Sequence, residues 1–140
     1  MPSRSPSLSV RSRPADEKIT VNVGHVDLGQ IDLLVQDGFY AHRADFIRAA
    51  IRHQLERHAD ALRQATSRKA LVLGIHHFTA ADLRAAVAAG QRLDVRVLGL
   101  ATFAPDVTPE LARDAIASIV VLGALHASAA VKAALADRMA

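Results

Sequence analysis

The stretch from Lys18 to Leu55 limits the fold more than any other part of the chain, because its hydrophobic pattern changes period. Residues 18–23 alternate between polar Lys18, Thr20 and Asn22 and apolar Ile19, Val21 and Val23. A period of two predicts a strand with one buried face. The spacing that follows is helical. A strand followed by helices is therefore expected over this stretch.

Two short amphipathic helices are predicted after the strand. Their apolar positions are Leu28, Ile31, Leu34 and Val35 in the first, which ends near Gly38, and Phe46, Ile47, Ala50, Ile51 and Leu55 in the second. One strand and two short helices cannot close a core, and a lone strand leaves backbone groups unpaired on both edges. The same strand of a second copy is the most economical partner, so we predict a homodimer.

The strand, helix, helix order, with its GFYAHRADFIRAAI turn and helix, resembles the ribbon-helix-helix family of the Arc, methionine and CopG repressors. The resemblance covers about a quarter of the chain. It implies that two strands pair into an antiparallel ribbon in the major groove of double-stranded DNA, where outward side chains read base edges. The base-reading residues would be Lys18, Thr20 and Asn22. Lysine can donate to guanine, threonine can offer its hydroxyl or methyl, and asparagine can bond adenine through two atoms.

The same resemblance implies a phosphate contact at the start of the second helix. The family usually has two small hydroxyl residues around a basic one there, whereas this chain has His42, Arg43 and Ala44. Histidine is not a favoured N-cap. The free N–H groups of a helix N-terminus still attract an anion, so a backbone contact to phosphate is expected to survive.

Composition supports a nucleic-acid partner and predicts a disordered basic arm. Residues 1–69 hold 11 Lys or Arg against 8 Asp or Glu, whereas residues 70–140 hold 6 of each, so the whole excess of +3 lies in the first half. Residues 1–16 are rich in Ser and Pro, and include Arg4, Arg11 and Arg13. These arginines are candidate phosphate contacts; the alternative is a bare tail.

The chain lacks the patterns of a membrane or disulfide-bonded protein. It has no cysteine and no run of about 18 apolar residues, and its N-terminus has no apolar signal core. We therefore expect a cytoplasmic protein with no membrane contact, and the resemblance to bacterial DNA-binding proteins implies that it associates with the nucleoid. The predicted organisation is an arm over 1–16, a ribbon-helix-helix domain over 17–57, a helical stalk over 58–69 and a further domain over 70–140.

An internal repeat defines the last of these domains. Leu73-Gly74, Leu98-Gly99 and Leu122-Gly123 each end an apolar run, at offsets of 25 and 24 residues. A helix start follows each, at Thr79 with Asp82, at Thr108 with Pro109 and at Ser128. The repeat predicts three strand-helix units in a solenoid-like parallel sheet with all helices on one face. The overall fold class is therefore α/β, with an intertwined β-α-α dimer before the repeat domain.

Both faces of the predicted sheet are apolar, so each needs a cover. We expect the helices to cover the side with the leucines that precede the glycines. The other side would then meet the stalk or another subunit, and its residues are Val72, Gly74, Val97, Gly99, Val121, Gly123 and Leu125. Through this side or the strand edges, residues 70–140 are predicted to join dimers into tetramers or larger assemblies.

Chemistry beyond DNA binding is not predicted. His76, His77 and His126 raise the possibility of a metal-responsive repressor, but His77 and His126 would lie two strands apart, about 9–10 Å. A shared ion would then need the two side chains to converge or a second chain to contribute a ligand. No metal or other cofactor is predicted, and no nucleophile-and-base pattern or phosphate loop indicates an enzyme. A sequence-specific transcriptional regulator is the leading hypothesis; the alternatives are a DNA-bound scaffold that forms filaments, an antitoxin and a metal-responsive repressor.

Overall fold

The computed structural model describes residues 16–139, which form two compact units. One comprises residues 18–65, and the other is built mainly from residues 66–139. The elements in chain order are α1 His25–Gln36, α2 Arg43–Arg57, α3 Ala59–Arg68, β1 Val72–Phe78, α4 Ala80–Ala88, β2 Leu93–Phe103, α5 Pro109–Ala115, β3 Ile116–His126, α6 Ala129–Leu135 and a short 3-10 helix Ala136–Arg138. The chain is therefore mixed α/β, as predicted.

The two predicted helices of the first unit are present as α1 and α2. Helix α1 ends at Gln36 with Asp37 as its C-cap, and Gly38 follows with a φ of 84°, which is costly for most other residues. The N–H of Gly38 donates to the carbonyl of Val35, and that of Phe39 donates to the carbonyl of Leu34. These two bonds satisfy the last carbonyls of the helix and turn the chain toward α2.

The predicted stalk is a separate helix and does not continue α2. Helix α2 ends at Arg57, His58 forms its C-cap, and α3 begins at Ala59. No proline or glycine marks this break. The N–H of His58 bonds the carbonyl of Leu55, three residues back, which is the tightened bonding common at helix ends.

The second unit contains the predicted three-stranded parallel sheet, in the order β1-β2-β3. Gly74 pairs with Gly99, which pairs with Gly123, so the repeat offsets of 25 and 24 residues are the strand register. At the end of β1, Phe78 stacks on its register partner Phe103 with ring centroids 5.1 Å apart. Whether the unit belongs with solenoids stays a prediction.

The predicted helix starts are all capped by the expected hydroxyl groups. Thr79 and Asp82 form a reciprocal capping box at α4. Thr108 accepts from the N–H of Leu111 with Pro109 at the first position of α5, and Ser128 accepts from the N–H of Val131 at α6. These caps satisfy backbone donors that the helices leave unpaired and fix where each crossover returns toward the sheet.

The helices lie on one face of the sheet, but on the face opposite to the one we expected. The core is formed by alternate residues of the strands and by residues of α4, α5 and α6. The strand residues are Val95, Val97, Ala101, Phe103 and Ile119, and the helix residues are Ala80, Leu83, Ala112, Ala115, Val131 and Leu135. Val121 and Leu125 pack against this core. Of the residues predicted to face another subunit, Val97, Val121 and Leu125 are covered by the helices, whereas Val72, Gly99 and Gly123 are exposed and Gly74 is partly exposed. The role of this set in assembly stays a prediction.

The face left open carries the leucines and isoleucine that flank the glycines. We call Leu73, Ile75, Leu98, Leu122 and Ala124 the open face; Leu100 lies on the same side but is buried. Leu73 is 76% exposed and Ile75 is 63% exposed. Both faces of this sheet are apolar, so hydrophobicity alone did not distinguish them.

Ala70 offers a test of how α3 ends. It has a φ of 53° and occupies the position that glycine usually takes after a helix. Its N–H bonds the carbonyl of Ser67, and the N–H of Leu71 bonds that of Thr66. We expect Ala70→Gly to raise the free energy of unfolding by about 0.5–1 kcal/mol, because glycine has no penalty at positive φ.

Thermal and urea unfolding of the full chain would measure this effect. The matched control is Ala85→Gly, an exposed site inside α4, which should lower stability by about 1 kcal/mol. Equal losses for the two variants would contradict the role assigned to Ala70.

Candidate nucleic-acid interface

The predicted base-reading segment is fully accessible. Residues 16–24 form neither a helix nor a paired strand, and every one of them is exposed. Lys18, Thr20 and Asn22 therefore lie on the surface, and so do their apolar neighbours: Ile19 is 75% exposed and Val21 is 70% exposed. A strand ladder needs a second strand, so the pairing of this segment stays a prediction.

Most of the large apolar side chains of the first unit are exposed. Ile31 is the single buried residue among residues 18–65. Its exposed large apolar residues are Ile19, Val21, Val23, Val26, Leu33, Phe39, Ile47, Ile51, Leu55 and Leu62. A soluble monomer rarely exposes so much apolar surface in one small region. By itself this unit buries too little to offset the entropy lost on folding.

The two helices of this unit leave apolar grooves beside Phe46. One groove is lined by Ile31, Leu34 and Phe46, together with polar groups of α1. A second lies between Tyr40, Phe46, Ala49, Ala50 and His53. Tyr40 meets Phe46 edge to face at 5.1 Å and so holds the loop after α1 against α2. Concave apolar surfaces of this kind are suited to side chains from another helix.

The start of α2 is capped by a residue that the sequence analysis undervalued. Nδ1 of His42 accepts a hydrogen bond of 3.1 Å from the N–H of Asp45. The carboxylate of Asp45 in turn accepts from the N–H of Ala41 at 3.0 Å. The imidazole thus substitutes for the hydroxyl of a usual cap. The first amides, those of Arg43 and Ala44, have no acceptor within the helix.

Arg43 makes a bidentate ion pair with Asp32 of α1. Its Nε lies 2.7 Å from Oδ1 and its Nη2 lies 2.8 Å from Oδ2. These hydrogen bonds hold the pKa of Asp32 below its usual value and raise that of Arg43. The pair ties the first turn of α2 to α1. Arg43 therefore has a structural partner as well as its predicted contact with phosphate.

The other predicted site residues lie elsewhere. Arg4, Arg11 and Arg13 fall outside the described residues. His77 lies on β1, and its Nδ1 is 2.5 Å from the hydroxyl of Thr102, its register partner on β2; His126 is the partner of Thr102 on β3. Within residues 16–139, no three His, Cys, Asp or Glu side chains are grouped so that they could hold a metal ion.

Comparison with family models identifies the chain. The model of the Ribbon-Helix-Helix transcriptional regulator family matches residues 14–132. The chain belongs to this family. The match spans the exposed segment, the two helices that follow it and all three strands of the sheet. The family model of this ribbon-helix-helix regulator therefore covers most of the second unit as well as the first. Searches of curated proteins and of solved structures gave no match.

Regulators of the ribbon-helix-helix family bind DNA and typically dimerise. In the part of this regulator that the structure describes, no helix is long and apolar enough to cross a membrane.

Proposed function

We propose that this protein is a sequence-specific transcriptional regulator whose residues 18–23 pair with those of a second copy to form a ribbon in the DNA major groove. The observation that carries the proposal is the exposed apolar side of residues 18–65, where only Ile31 is buried. Pairing two copies would cover Ile19, Val21 and Val23 and leave Lys18, Thr20 and Asn22 facing outward. These three side chains would read the bases.

The start of α2 supplies the contact that orients the ribbon. The amides of His42, Arg43 and Ala44 lie at the positive end of the helix dipole, where a backbone phosphate is stabilised. The Arg43–Asp32 pair holds this end of the helix to α1 at 2.7 Å. The arm with Arg4, Arg11 and Arg13 would add charge contacts beside the ribbon.

Asn22 provides the main test of base reading. We expect Asn22→Ala to weaken binding to a selected site by about 1–3 kcal/mol, because one bidentate contact is lost, and to relax preference at one base position only. Binding to a panel of single-base site variants would measure both effects. Unfolding should be unchanged, since Asn22 is exposed. Parental affinity and preference in this variant would contradict the assignment.

The N-terminal arm is tested through the salt dependence of binding. Deleting residues 1–13 removes Arg4, Arg11 and Arg13 and should weaken binding to specific and random duplexes alike. The slope of log affinity against log salt should fall by about one unit for each phosphate contact removed. Fluorescence anisotropy over a range of salt concentrations would give the slope. An unchanged slope would show that the arm makes no contact with DNA.

The second unit is proposed to join dimers, with regulation as the outcome. The open face supports this role, since Leu73, Ile75 and Leu122 are large, apolar and exposed. A scaffold that coats DNA is the second candidate, and footprinting separates the two functions. Protection of one or a few short inverted repeats would indicate a regulator, whereas broad protection would indicate a scaffold.

A further inference from the structure

The parallel sheet of the second unit has two outer edges that could extend it. Among the described residues, no strand pairs with the outer edge of β1, and only Met139 bridges to the outer side of β3, at Ile119. Neither strand contains proline or lysine, and the large side chains Val72, Leu73, Ile75 and Leu122 are exposed along them. Proline, lysine and inward charge normally protect such edges from pairing.

The glycines show how neighbouring strands fit together. Gly74, Gly99 and Gly123 have φ values of 130°, 138° and 120°. A Cβ on Gly99 would overlap the carbonyl oxygen of Gly74, and a Cβ on Gly123 would overlap that of Gly99. Each strand therefore places a carbonyl where the next strand must have a glycine.

This pattern is incomplete at both edges. No described atom lies within 4 Å of the Cβ position of Gly74, so its place for a neighbouring carbonyl is empty. A strand that continued the register beyond β3 would need a glycine opposite Gly123. Within the chain neither requirement is met. A contact between β3 of one copy and β1 of another meets both, because the carbonyl of Gly123 would fill the place beside Gly74, and Gly74 would be the glycine opposite Gly123.

We propose that β3 of one copy pairs in parallel with β1 of the next, with Gly123 opposite Gly74, so that the sheets join head to tail. The register of the chain places Val72 opposite Val97 and Val97 opposite Val121, so an incoming Val72 would lie opposite Val121. The bridge between Met139 and Ile119 lies two residues before Val121 on β3, so it falls outside the proposed pairing. The joined sheet would continue the order β1-β2-β3 with its helices on the same face.

The partner is a second copy of this chain because its two edges complement one another. In a parallel sheet the contact uses a different edge on each copy, and a contact of this type does not close on itself by two-fold symmetry. Combined with dimerisation through residues 18–65, it would link dimers into open arrays. The inference deepens the proposed assembly of dimers and does not depend on the DNA contacts.

Disulfide trapping provides a direct test, because the chain has no cysteine. The proposed register brings Leu73 of one copy beside Leu122 of the next, about 5 Å apart and within disulfide range. Within one chain the two residues lie two strands apart, about 10 Å, which is too far to bridge. The full-length Leu73→Cys, Leu122→Cys variant should therefore form covalent chains of three or more copies on oxidation.

The single variants Leu73→Cys and Leu122→Cys are the controls, and neither should give more than traces of dimer. Efficient dimers from Leu73→Cys alone would overturn the proposal, since they would indicate face-to-face or antiparallel contact. A folded double variant that forms no covalent chains of three or more copies would overturn it as well.

A charge exchange checks the same contact without oxidation. Leu73→Lys with Leu122→Lys places like charges beside each other between copies, whereas Leu73→Lys with Leu122→Glu places opposite charges there. Sedimentation of the full chain should give dimers for the first variant and larger assemblies for the second. Both variants remove the same two apolar side chains. Equal sizes would show that the open face, rather than the edges, joins the copies, and would overturn the proposal.

Discussion

Gly123→Ala is expected to unfold the sheet of the second unit, with a loss of at least about 3 kcal/mol in the free energy of unfolding. The new Cβ would overlap the carbonyl oxygen of Gly99, which is backbone of the central strand and cannot turn aside. Alanine would also be strained at a φ of 120°. Circular dichroism during thermal unfolding would measure the loss.

Gly74→Ala is the matched control for this prediction. Its φ of 130° imposes a similar strain, but no described atom lies within 4 Å of the added carbon. The alanine at Gly74 should therefore cost only the conformational strain, about 1–3 kcal/mol. Equal losses at the two positions would show that the close approach of the strands adds nothing.

Val21→Asp is expected to abolish both dimerisation and DNA binding. Val21 is 70% exposed in the single chain, and in the proposed ribbon it would be covered by the partner. A carboxylate there would have to be buried in each copy, which costs several kcal/mol per group unless it is neutralised. Affinity for a selected site should fall by at least about 100-fold, since a loss of about 3 kcal/mol exceeds that factor.

The same carboxylate on the opposite side of the segment is the control. Thr20→Asp should weaken DNA binding through repulsion of phosphate but leave the dimer intact. Sedimentation and DNA titration of both variants would separate assembly from binding. A dimer that survives Val21→Asp would contradict the proposed ribbon.

The sequence predicted the elements and their register better than it predicted their surroundings. The spacing of Gly74, Gly99 and Gly123 gave the strand alignment, because a repeat that folds into a sheet carries its register in its period. The caps at Thr79, Thr108 and Ser128 were equally predictable, since the N-terminus of a helix selects side chains that accept from its free amides.

The face covered by the helices was not predictable from hydrophobicity. Val97 and Leu98 are both apolar, yet Val97 is in the core and the alternate Leu98 is only partly buried. The positive φ values and close approach of the glycines depend on neighbouring strands, which the local sequence does not describe. The same is true of the Arg43–Asp32 pair, whose members are 11 residues apart and meet only when α1 and α2 pack.

The cap at the start of α2 determines where the proton lies on the ring of His42. Nδ1 accepts from the N–H of Asp45, so in the neutral imidazole the proton must be on Nε2. The far side of the ring then presents one donor, the N–H of Nε2, and an oxygen of a phosphate group could accept a hydrogen bond from it.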